Sequence, residues 1–244
     1  MPYRTFNPSE VARYLHLSRA DLDRLVKNQA IPFEKHGERV VFRKTQIDTW
    51  ASQRILGLEG RPLAEYHQQT SQDTRPILAH AEMLPEMIRP EYIEPALAAK
   101  TKSSVVHGMV ALATKTGRVC DPQVLLAGLE AREALCSTGL PGGLALLHTR
   151  QPEIYLFETS FIVLGRTIQA IPFGAPDGQP THLFFLLAVP DDRLHLHLLA
   201  RLCLMAQKTA MLEELLQAGD AEAMYQCLLA SEAAVLEGRR GEEA

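Results

Sequence analysis

Apolar residues recur at helical spacing in two short stretches near the start of the chain, and each stretch follows residues suited to a helix start. Asn7 and Glu10 fit the N-cap and N3 positions of a first helix, and Ser18 and Asp21 fit those of a second. The apolar stripes comprise Val11, Ala12 and Leu15 in the first stretch and Leu22, Leu25 and Val26 in the second. Because few residues separate the two stretches, the pattern predicts a helix-turn-helix.

Two runs with strand composition follow, at residues 31–35 and 39–43, and Gly37 between them can adopt the positive φ of a tight hairpin turn. We interpret this hairpin as a wing. A third helix is predicted to begin at a cap on Thr45. Its apolar side comprises Ile47, Trp50 and Ile55, which can close a small core.

The pattern changes after residue 57. Residues 58–75 are polar without helical or strand periodicity, which predicts a linker. Beyond them, apolar stripes typical of helices alternate with short apolar runs typical of strands. The stripes predict helices near 105–116, 121–134, 192–207 and 210–230, and the runs predict strands near 143–148, 155–164 and 183–189.

This order of elements predicts an α/β (α+β) layered domain with a mixed central sheet flanked by helices, preceded by a small, mostly α winged helix-turn-helix domain. The expected boundaries are 1–56 for the helix-turn-helix, 57–75 for the linker, 76–230 for the layered domain and 231–244 for a flexible tail.

Charge is unevenly distributed, although the net value of −4 is modest. Residues 1–60 hold 10 Lys+Arg against 7 Asp+Glu, whereas the remainder holds 15 against 22, so we expect the two ends to have different partners. The sequence has neither a signal-peptide pattern nor an apolar run long enough to span a bilayer. Its four cysteines lack C-x-x-C spacing. We therefore expect a cytoplasmic protein with reduced thiols.

Residues 10–50, EVARYLHLSRADLDRLVKNQAIPFEKHGERVVFRKTQIDTW, resemble the small DNA-binding domains of the excisionase and MerR-like families. Such domains bind DNA through the second helix and the wing. The residues expected to meet DNA are Arg19, Arg24, Lys27 and Asn28 on the helix and Lys35, Arg39 and Arg43 on the hairpin. A solvated charged face is the alternative, because the surplus of basic residues is small.

The segment from Arg132 to Arg150, REALCSTGLPGGLALLHTR, resembles the IIA phosphocarrier domain of bacterial phosphotransferase systems, of the fructose, mannitol and nitrogen-regulatory type. In that family an Arg-Glu pair, a Ser-Thr-Gly turn and a glycine-rich bend lead into a strand that ends at the phosphorylated histidine, here His148. Residues 173–180 and 195–202, FGAPDGQP and HLHLLARL, match two further family segments in order.

The resemblance implies that His148 accepts a phosphoryl group, and a neutral imidazole is a suitable nucleophile near pH 7. It implies that the guanidinium of Arg132 stabilises the phosphoryl charge. The family usually has proline directly before its histidine, where this chain has Leu147. Loss of that proline could loosen the backbone that aims the imidazole.

Three other residues of the motif are candidates for holding the phosphoryl group. Ser137 and Thr138 can supply hydroxyl donors, and the bend that includes Gly143 can supply backbone N–H groups. The alternative is a plain turn for the hydroxyl residues and chain geometry alone for the glycine.

Helical phase separates the two histidines of the 195–202 segment. His195 shares a face with leucines and is expected to point inward, whereas His197 shares a face with Arg193 and Arg201 and is expected to point toward water. If Asp191 or Asp192 caps this helix, His195 lies in its first turn, where the dipole favours a neutral ring. His195 could then donate a hydrogen bond to the phosphoryl group on His148.

Two other chemistries remain open. A zinc site could draw on His148, His182, His195 and His197, although no pair has the spacing of a closed site. Cys136 and His148 could form the thiol and base of a hydrolase, although proximity in sequence does not establish that geometry.

The sequence therefore predicts a regulator whose IIA-like domain accepts a phosphoryl group from HPr-like phosphocarrier protein and passes it to a IIB protein or a regulatory target, without cofactor or metal. DNA is a further expected partner of the N-terminal domain, and a homodimer is plausible because small DNA-binding modules often act in pairs. One alternative is a transport component whose N-terminal module only docks proteins. Another is an IIA-like interaction module that has lost phosphoryl transfer.

Overall fold

The computed structural model describes residues 4–74, 80–149 and 155–242. Its N-terminal unit has the predicted order of three short helices with a hairpin before the last. The elements are β1 (Thr5–Phe6), α1 (Pro8–Tyr14), α2 (Arg19–Lys27), β2 (Glu34–His36), β3 (Arg39–Arg43) and α3 (Lys44–Leu56). A three-stranded antiparallel sheet in the order β1-β3-β2 forms the wing.

Helix caps fix the ends of the first two helices as the sequence predicts. Asn7 accepts from the N–H of Glu10 while the Glu10 carboxylate accepts from the N–H of Asn7, and Ser18 accepts from the N–H of Asp21. The prediction for Thr45 is wrong, because α3 begins at Lys44 directly after β3 and has Arg43 as its N-cap. A strand that runs straight into a helix leaves no turn for a capping side chain.

The predicted linker is instead largely helical, as α4 (Gly60–Thr74), and α4 packs along helix α8 (Asp192–Lys208). Leu63, His67 and Thr70 of α4 are buried. The prediction failed because the buried face of α4 carries polar residues, which hydrogen-bond within the protein, so that no apolar stripe marks the helix. Arg75, the last residue of the predicted linker, and residue 76, where the layered domain was predicted to begin, lie outside the described residues.

The C-terminal unit is a five-stranded mixed sheet flanked by helices, which confirms the predicted fold class. Its elements are α5 (Leu84–Met87), β4 (Ile93–Leu97), α6 (Lys102–Lys115), α7 (Pro122–Leu135), β5 (Gly139–Leu140), β6 (Leu144–Leu147), β7 (Phe161–Ile171), β8 (Thr181–Ala188), α8 (Asp192–Lys208), α9 (Met211–Gln217) and α10 (Ala221–Glu242).

The strand order is β4-β7-β8-β6-β5. β4 pairs with β7 and β6 with β8 in parallel, whereas the β7–β8 and β5–β6 pairs are antiparallel. The central strands β6 and β8 are almost wholly buried, so their apolar side chains form the middle of the core. Strand β4, which the sequence pattern missed, contains Pro95 and lies at the edge, where a missing N–H is tolerated.

Three expectations for this unit are corrected. The strand predicted at 155–164 begins only at Phe161, and Tyr155 is exposed in a turn. The helix predicted at 210–230 is two helices that break near Gly219. The tail predicted from residue 231 continues α10, and Ser231, Glu232 and Val235 are buried. Residues 243–244 lie outside the described chain.

None of the helices among the described residues combines the length and apolar composition that a membrane crossing requires.

Candidate functional site

The sheet topology brings His148 and His195 together. β6 and β8 are parallel, with Leu147 opposite Leu186, so both strands end at the same edge of the sheet. His148 follows β6 directly, and α8 starts just beyond β8 with His195 in its first turns. The two ring centroids are 5.0 Å apart.

The backbone selects the reactive nitrogen of His148. Its Nδ1 lies 2.8 Å from the carbonyl oxygen of Leu146, and a carbonyl only accepts, so Nδ1 carries the hydrogen. The lone pair is therefore on Nε2, which accepts from Arg132 Nε at 3.1 Å. Around Leu147, strand pairing with β8 holds the backbone and the Leu146 carbonyl holds the His148 ring; the effect of the missing proline stays a prediction.

Arg132 comes from the last turn of α7 and is 1% exposed. Its Nη1 donates to the carbonyl oxygen of Cys136 at 2.9 Å. Its Nη2 is buried and has no hydrogen-bond partner among the described residues, where no carboxylate neutralises the guanidinium either. A buried cation with an unused donor beside a nucleophile favours an anion at this place.

His195 lies in the first turn of α8, as expected if Asp191 caps this helix. Asp191 caps α8 by accepting from the N–H of Leu194, and the N–H of His195 donates to the carbonyl oxygen of Asp191. As a whole residue His195 is half-buried, and its ring faces His148, whereas His197 is buried against α4.

Both site rings are uncharged at neutral pH. Burial lowers the pKa of His148 well below its usual value, and the neighbouring His195 and Arg132 lower it further. Burial, together with Arg132, lowers the pKa of His195 to about 4. Neutral His148 keeps the Nε2 lone pair that a nucleophile needs.

His197 does not point toward water as expected. It is 1% exposed, stacks on His67 of α4 at 4.8 Å between ring centroids, and lies within 2.8 Å of Thr70 Oγ1 through its Nδ1. The helical phase was right, since His197 and Arg201 share a face. That face is covered by α4, which the sequence pattern did not reveal.

Ser137 and Thr138 brace the turn between α7 and β5. Ser137 Oγ donates to the carbonyl oxygen of Phe173 at 2.7 Å, and Thr138 Oγ1 donates to Glu133 Oε2 at 2.6 Å. Gly143 has φ +81 in the turn before β6, and its carbonyl accepts from the N–H groups of residues 182 and 183. These contacts support turn geometry for the three residues, whose part in holding a phosphoryl group stays a prediction.

Glu133 is a residue whose role the sequence did not define. Its buried carboxylate accepts from the N–H and hydroxyl of Thr138 and pairs with Lys102 Nζ at 2.8 Å. It ties the chain that leaves Arg132 to the sheet. The Arg-Glu pair of the motif thus combines one residue that faces His148 with one that fixes the turn.

The geometry gives no support to the zinc site or to the thiol hydrolase. Among the described residues, no cluster of His, Cys, Asp and Glu is arranged to hold a metal, and His182 lies elsewhere, with Nδ1 3.2 Å from the carbonyl oxygen of Thr167. Arg132 contacts both Cys136 and His148, whereas no thiol–imidazole hydrogen bond joins Cys136 to His148 among the described contacts.

The predicted DNA-contacting residues are all exposed on α2 and the wing. Several are balanced by nearby carboxylates: Arg19 pairs with Asp23 at 3.1 Å, and Arg24 pairs with Asp21. On the wing Arg43 pairs with Glu34. The surface is therefore less basic than the count of Lys and Arg suggests, and DNA binding stays a prediction.

Two family models match the chain in separate regions. Residues 86–231 match the phosphoenolpyruvate-dependent sugar phosphotransferase system EIIA 2 family, and residues 5–55 match a helix-turn-helix domain. The sheet with its His148, Arg132 and His195 cluster defines a phosphotransferase-type IIA domain. The chain belongs to the EIIA 2 family and carries a helix-turn-helix domain before its IIA domain.

Individual relatives agree with this assignment. A nitrogen regulatory protein of Bradyrhizobium diazoefficiens is 31% identical over 146 residues, which cover 59% of this chain and 92% of the relative. The fructose-specific EIIABC component of Bacillus subtilis is 28% identical over 141 residues, 57% of this chain but only 22% of that larger protein. The crystal structure of nitrogen regulatory protein IIA-Ntr from Neisseria meningitidis superposes with a TM-score of 0.55 at 26% identity, covering 60% of this chain and 99% of that one.

Proposed function

We propose that this protein is a IIA-type phosphocarrier that accepts a phosphoryl group on His148 Nε2 from an HPr-like phosphocarrier protein. The observation that supports it best is the pairing of a neutral Nε2 with a buried guanidinium whose Nη2 has no partner among the described residues. This is a nucleophile beside a preformed site for negative charge.

The transfer needs no proton movement on His148. The Nε2 lone pair forms a bond to phosphorus as the donor's phosphorus–nitrogen bond breaks, and that electron pair returns to the donor imidazole. Nδ1 keeps its hydrogen on the Leu146 carbonyl throughout. Arg132 Nε, which now donates to Nε2, turns to a phosphoryl oxygen, and Nη2 supplies a second donor.

His195 would hold the phosphoryl group from the other side. Its ring lies 5.0 Å from that of His148 between centroids, and as a neutral imidazole it keeps one N–H to donate. A His195→Ala protein should accept phosphoryl groups more slowly, by about tenfold for one lost donor. An unchanged rate would remove His195 from the mechanism.

Mass measurement after incubation with phosphoenolpyruvate, enzyme I and HPr tests the function. The wild-type protein should gain one phosphoryl group, which peptide mapping places on His148, and the His148→Ala protein should gain none. The exposed His107 provides the matched control, since His107→Ala should be phosphorylated like the wild type. Transfer onward to a IIB protein or to a regulatory target is the expected next step.

The helix-turn-helix unit suggests the output. We propose that it binds DNA, so that the phosphorylation state of the IIA domain regulates transcription in sugar uptake or nitrogen metabolism in the cytoplasm. Retention of the full chain on genomic fragments, lost when Lys27 and Arg39 are both replaced by Glu, would support this output.

An alternative function is an interaction module that no longer transfers phosphate. One observation favours it: His148 is only 2% exposed, so a donor protein cannot reach it in this arrangement. Failure of the wild-type protein to gain a phosphoryl group in the assay above would support this alternative.

A further inference from the structure

The helix-turn-helix unit lies directly against the edge of the sheet that holds His148. Gln53 Nε2 of α3 donates to Cys136 Sγ at 3.2 Å, next to the carbonyl that receives Arg132. Lys44 at the start of α3 forms ion pairs with Asp48 of its own unit and with Asp192 at the start of α8. The two domains are therefore joined at the site itself.

Little space remains between them. Tyr14, Asp48 and Ser52 of the N-terminal unit close a cavity against His195 and Thr149, and this cavity has a volume of about 20 Å³. That is the room of one water molecule. The cavity lies beside His195 and is not lined by His148, which is itself 2% exposed with the helix-turn-helix unit in place. A donor protein must bring its phosphorus to within about 3–3.5 Å of His148 Nε2, so it needs the covered site to open.

We propose that the surface formed by Tyr14, Lys44, Asp48, Ser52 and Gln53, the docking face, occupies the unphosphorylated IIA site and competes with the phosphoryl donor for it. This inference rests on the proposed function of His148. Docking of the helix-turn-helix unit and phosphorylation of His148 exclude each other. The phosphorylation state therefore sets the position of helix α2, which is proposed to bind DNA.

The charges at the joint favour release on phosphorylation. Two carboxylates, Asp48 and Asp192, share the single ammonium group of Lys44, and Asp192 Oδ1 is buried without a hydrogen-bond partner among the described residues. A phosphoryl group adds a charge of about −1.5 to −2, which exceeds the single positive charge of Arg132 at the site, on the same side of the domain joint as Asp192. Like charges with little water between them repel strongly, so the docked state is destabilised.

The connection between α3 and α4 can act as the hinge. It comprises residues 57–59 followed by Gly60 at φ +56, a conformation that favours glycine. Gln207 of α8 is the partner that spans it, accepting from the N–H of Gly60 and donating to the carbonyl of Leu58. Because α4 is held to α8 by buried residues, the N-terminal unit can swing away while its tether stays in place.

A reversible cross-link tests the proposal. In a Cys120→Ser background, which removes one of the two exposed thiols, Gln53→Cys places a thiol beside the exposed Cys136. A short, reducible thiol cross-linker between them locks the docked state. Phosphorylation of His148 by phosphoenolpyruvate, enzyme I and HPr should fall at least about tenfold when the protein is locked, and should recover on reduction.

A second variant opens the joint without a cross-link. Ser52→Tyr puts a ring where the cavity of about 20 Å³ cannot hold it, so the docked state is disfavoured and the phosphorylation rate should rise at least about fivefold. The matched control is Glu38→Tyr on the exposed tip of the wing, which should behave like the wild type.

The outcomes separate the two proposals. Equal phosphorylation of locked and reduced protein, with no rise for Ser52→Tyr, overturns the docking inference and leaves the phosphocarrier function standing. Absence of phosphorylation in the locked, reduced and Ser52→Tyr proteins alike overturns the phosphocarrier function, and the docking inference falls with it. Loss in the locked state with recovery on reduction supports both.

Discussion

Helix α8 contributes to two buried groups that are built from the same residue types, two histidines and an arginine each. At its start, His195 faces His148, and Arg132 Nε donates to His148 Nε2 at 3.1 Å. Farther along the helix, His197 stacks on His67, and Arg201 Nε donates to His67 Nε2 at 2.6 Å.

The groups differ in how the arginine charge is balanced. Arg201 Nη1 pairs with Glu232 Oε1 at 2.6 Å, and the two oxygens of Glu232 also accept the N–H groups of Met83 and Leu84. Arg132 has no carboxylate partner among the described residues, and its Nη2 is left without an acceptor there.

This difference assigns a task to each group. A buried ion pair that is balanced and hydrogen-bonded ties elements together, here α4, α8, α10 and the start of α5. A buried arginine without a counter-ion is costly unless an anion arrives, and it lies beside a nucleophilic nitrogen. Two histidines and an arginine therefore form a structural brace in one place and a site for negative charge in the other.

Breaking the brace should have the largest effect on stability. Arg201→Met leaves the carboxylate of Glu232 buried without its cation, so we expect the free energy of unfolding to fall by about 3–5 kcal/mol. Urea denaturation followed by circular dichroism measures this loss. Arg61→Met, which removes the exposed Arg61–Glu65 pair, should leave the midpoint unchanged.

The folded fraction of the Arg201→Met protein should still accept a phosphoryl group on His148 at low temperature. If it kept wild-type stability but lost phosphorylation, the two tasks would have to be exchanged.

Replacing the other arginine should have the opposite signature. Arg132→Gln removes the guanidinium that faces the phosphoryl group, so we expect the phosphorylation rate to fall about 10²-fold, as for loss of a preorganised donor in a buried site. The loss in unfolding free energy should be smaller than for Arg201, about 1–2 kcal/mol, because no buried carboxylate loses its partner. Rates from a phosphorylation time course and urea midpoints on the same samples separate the two effects.

Lysine sharpens this test. Arg132→Lys keeps the charge but not the fork of donors, and should recover only part of the rate. Full recovery would show that charge alone matters at this position.

The sequence points to the group of His148, His195 and Arg132 more fully than to the brace, because short-range sequence patterns report only neighbouring residues. Asn7 and Ser18 cap helices as predicted, and Asp191 is one of the two candidates expected to cap α8, because a cap depends on residues only a few positions away. His148 and Arg132 stand in one short motif, so a family resemblance could place them together.

The brace depends on contacts between distant parts of the chain. Its members come from α4, α8 and α10, and Glu232 lies in the segment predicted to be a flexible tail. Likewise, no pattern along residues 44–53 indicates that α3 covers the IIA site, since Lys44 and Gln53 are ordinary surface residues of a helix until the partner surface is known. Burial of polar residues is fixed by tertiary packing, which periodicity does not report.

The smallest expected effect is on the pH dependence of stability, and it tests one residue of the site, His195. With a pKa of about 4 in the folded protein against about 6.5 when unfolded, His195 binds a proton first in the unfolded state as the pH falls. Its neutral form therefore stabilises the fold above pH 6.5, and this contribution is lost between about pH 6.5 and pH 4. From these two pKa values we expect a loss of about 1–2 kcal/mol at pH 5 relative to pH 7.

His195→Gln lacks this titration, so its urea midpoint should fall less between pH 7 and pH 5 than that of the wild type. His107→Gln, at an exposed position of α6, should keep the wild-type difference. If His195→Gln lost as much stability as the wild type over this range, the site ring would not be held neutral by burial and Arg132. The distinction between a charged brace and a site of uncharged histidines facing an unbalanced cation would then fail at the residue that α8 places opposite His148.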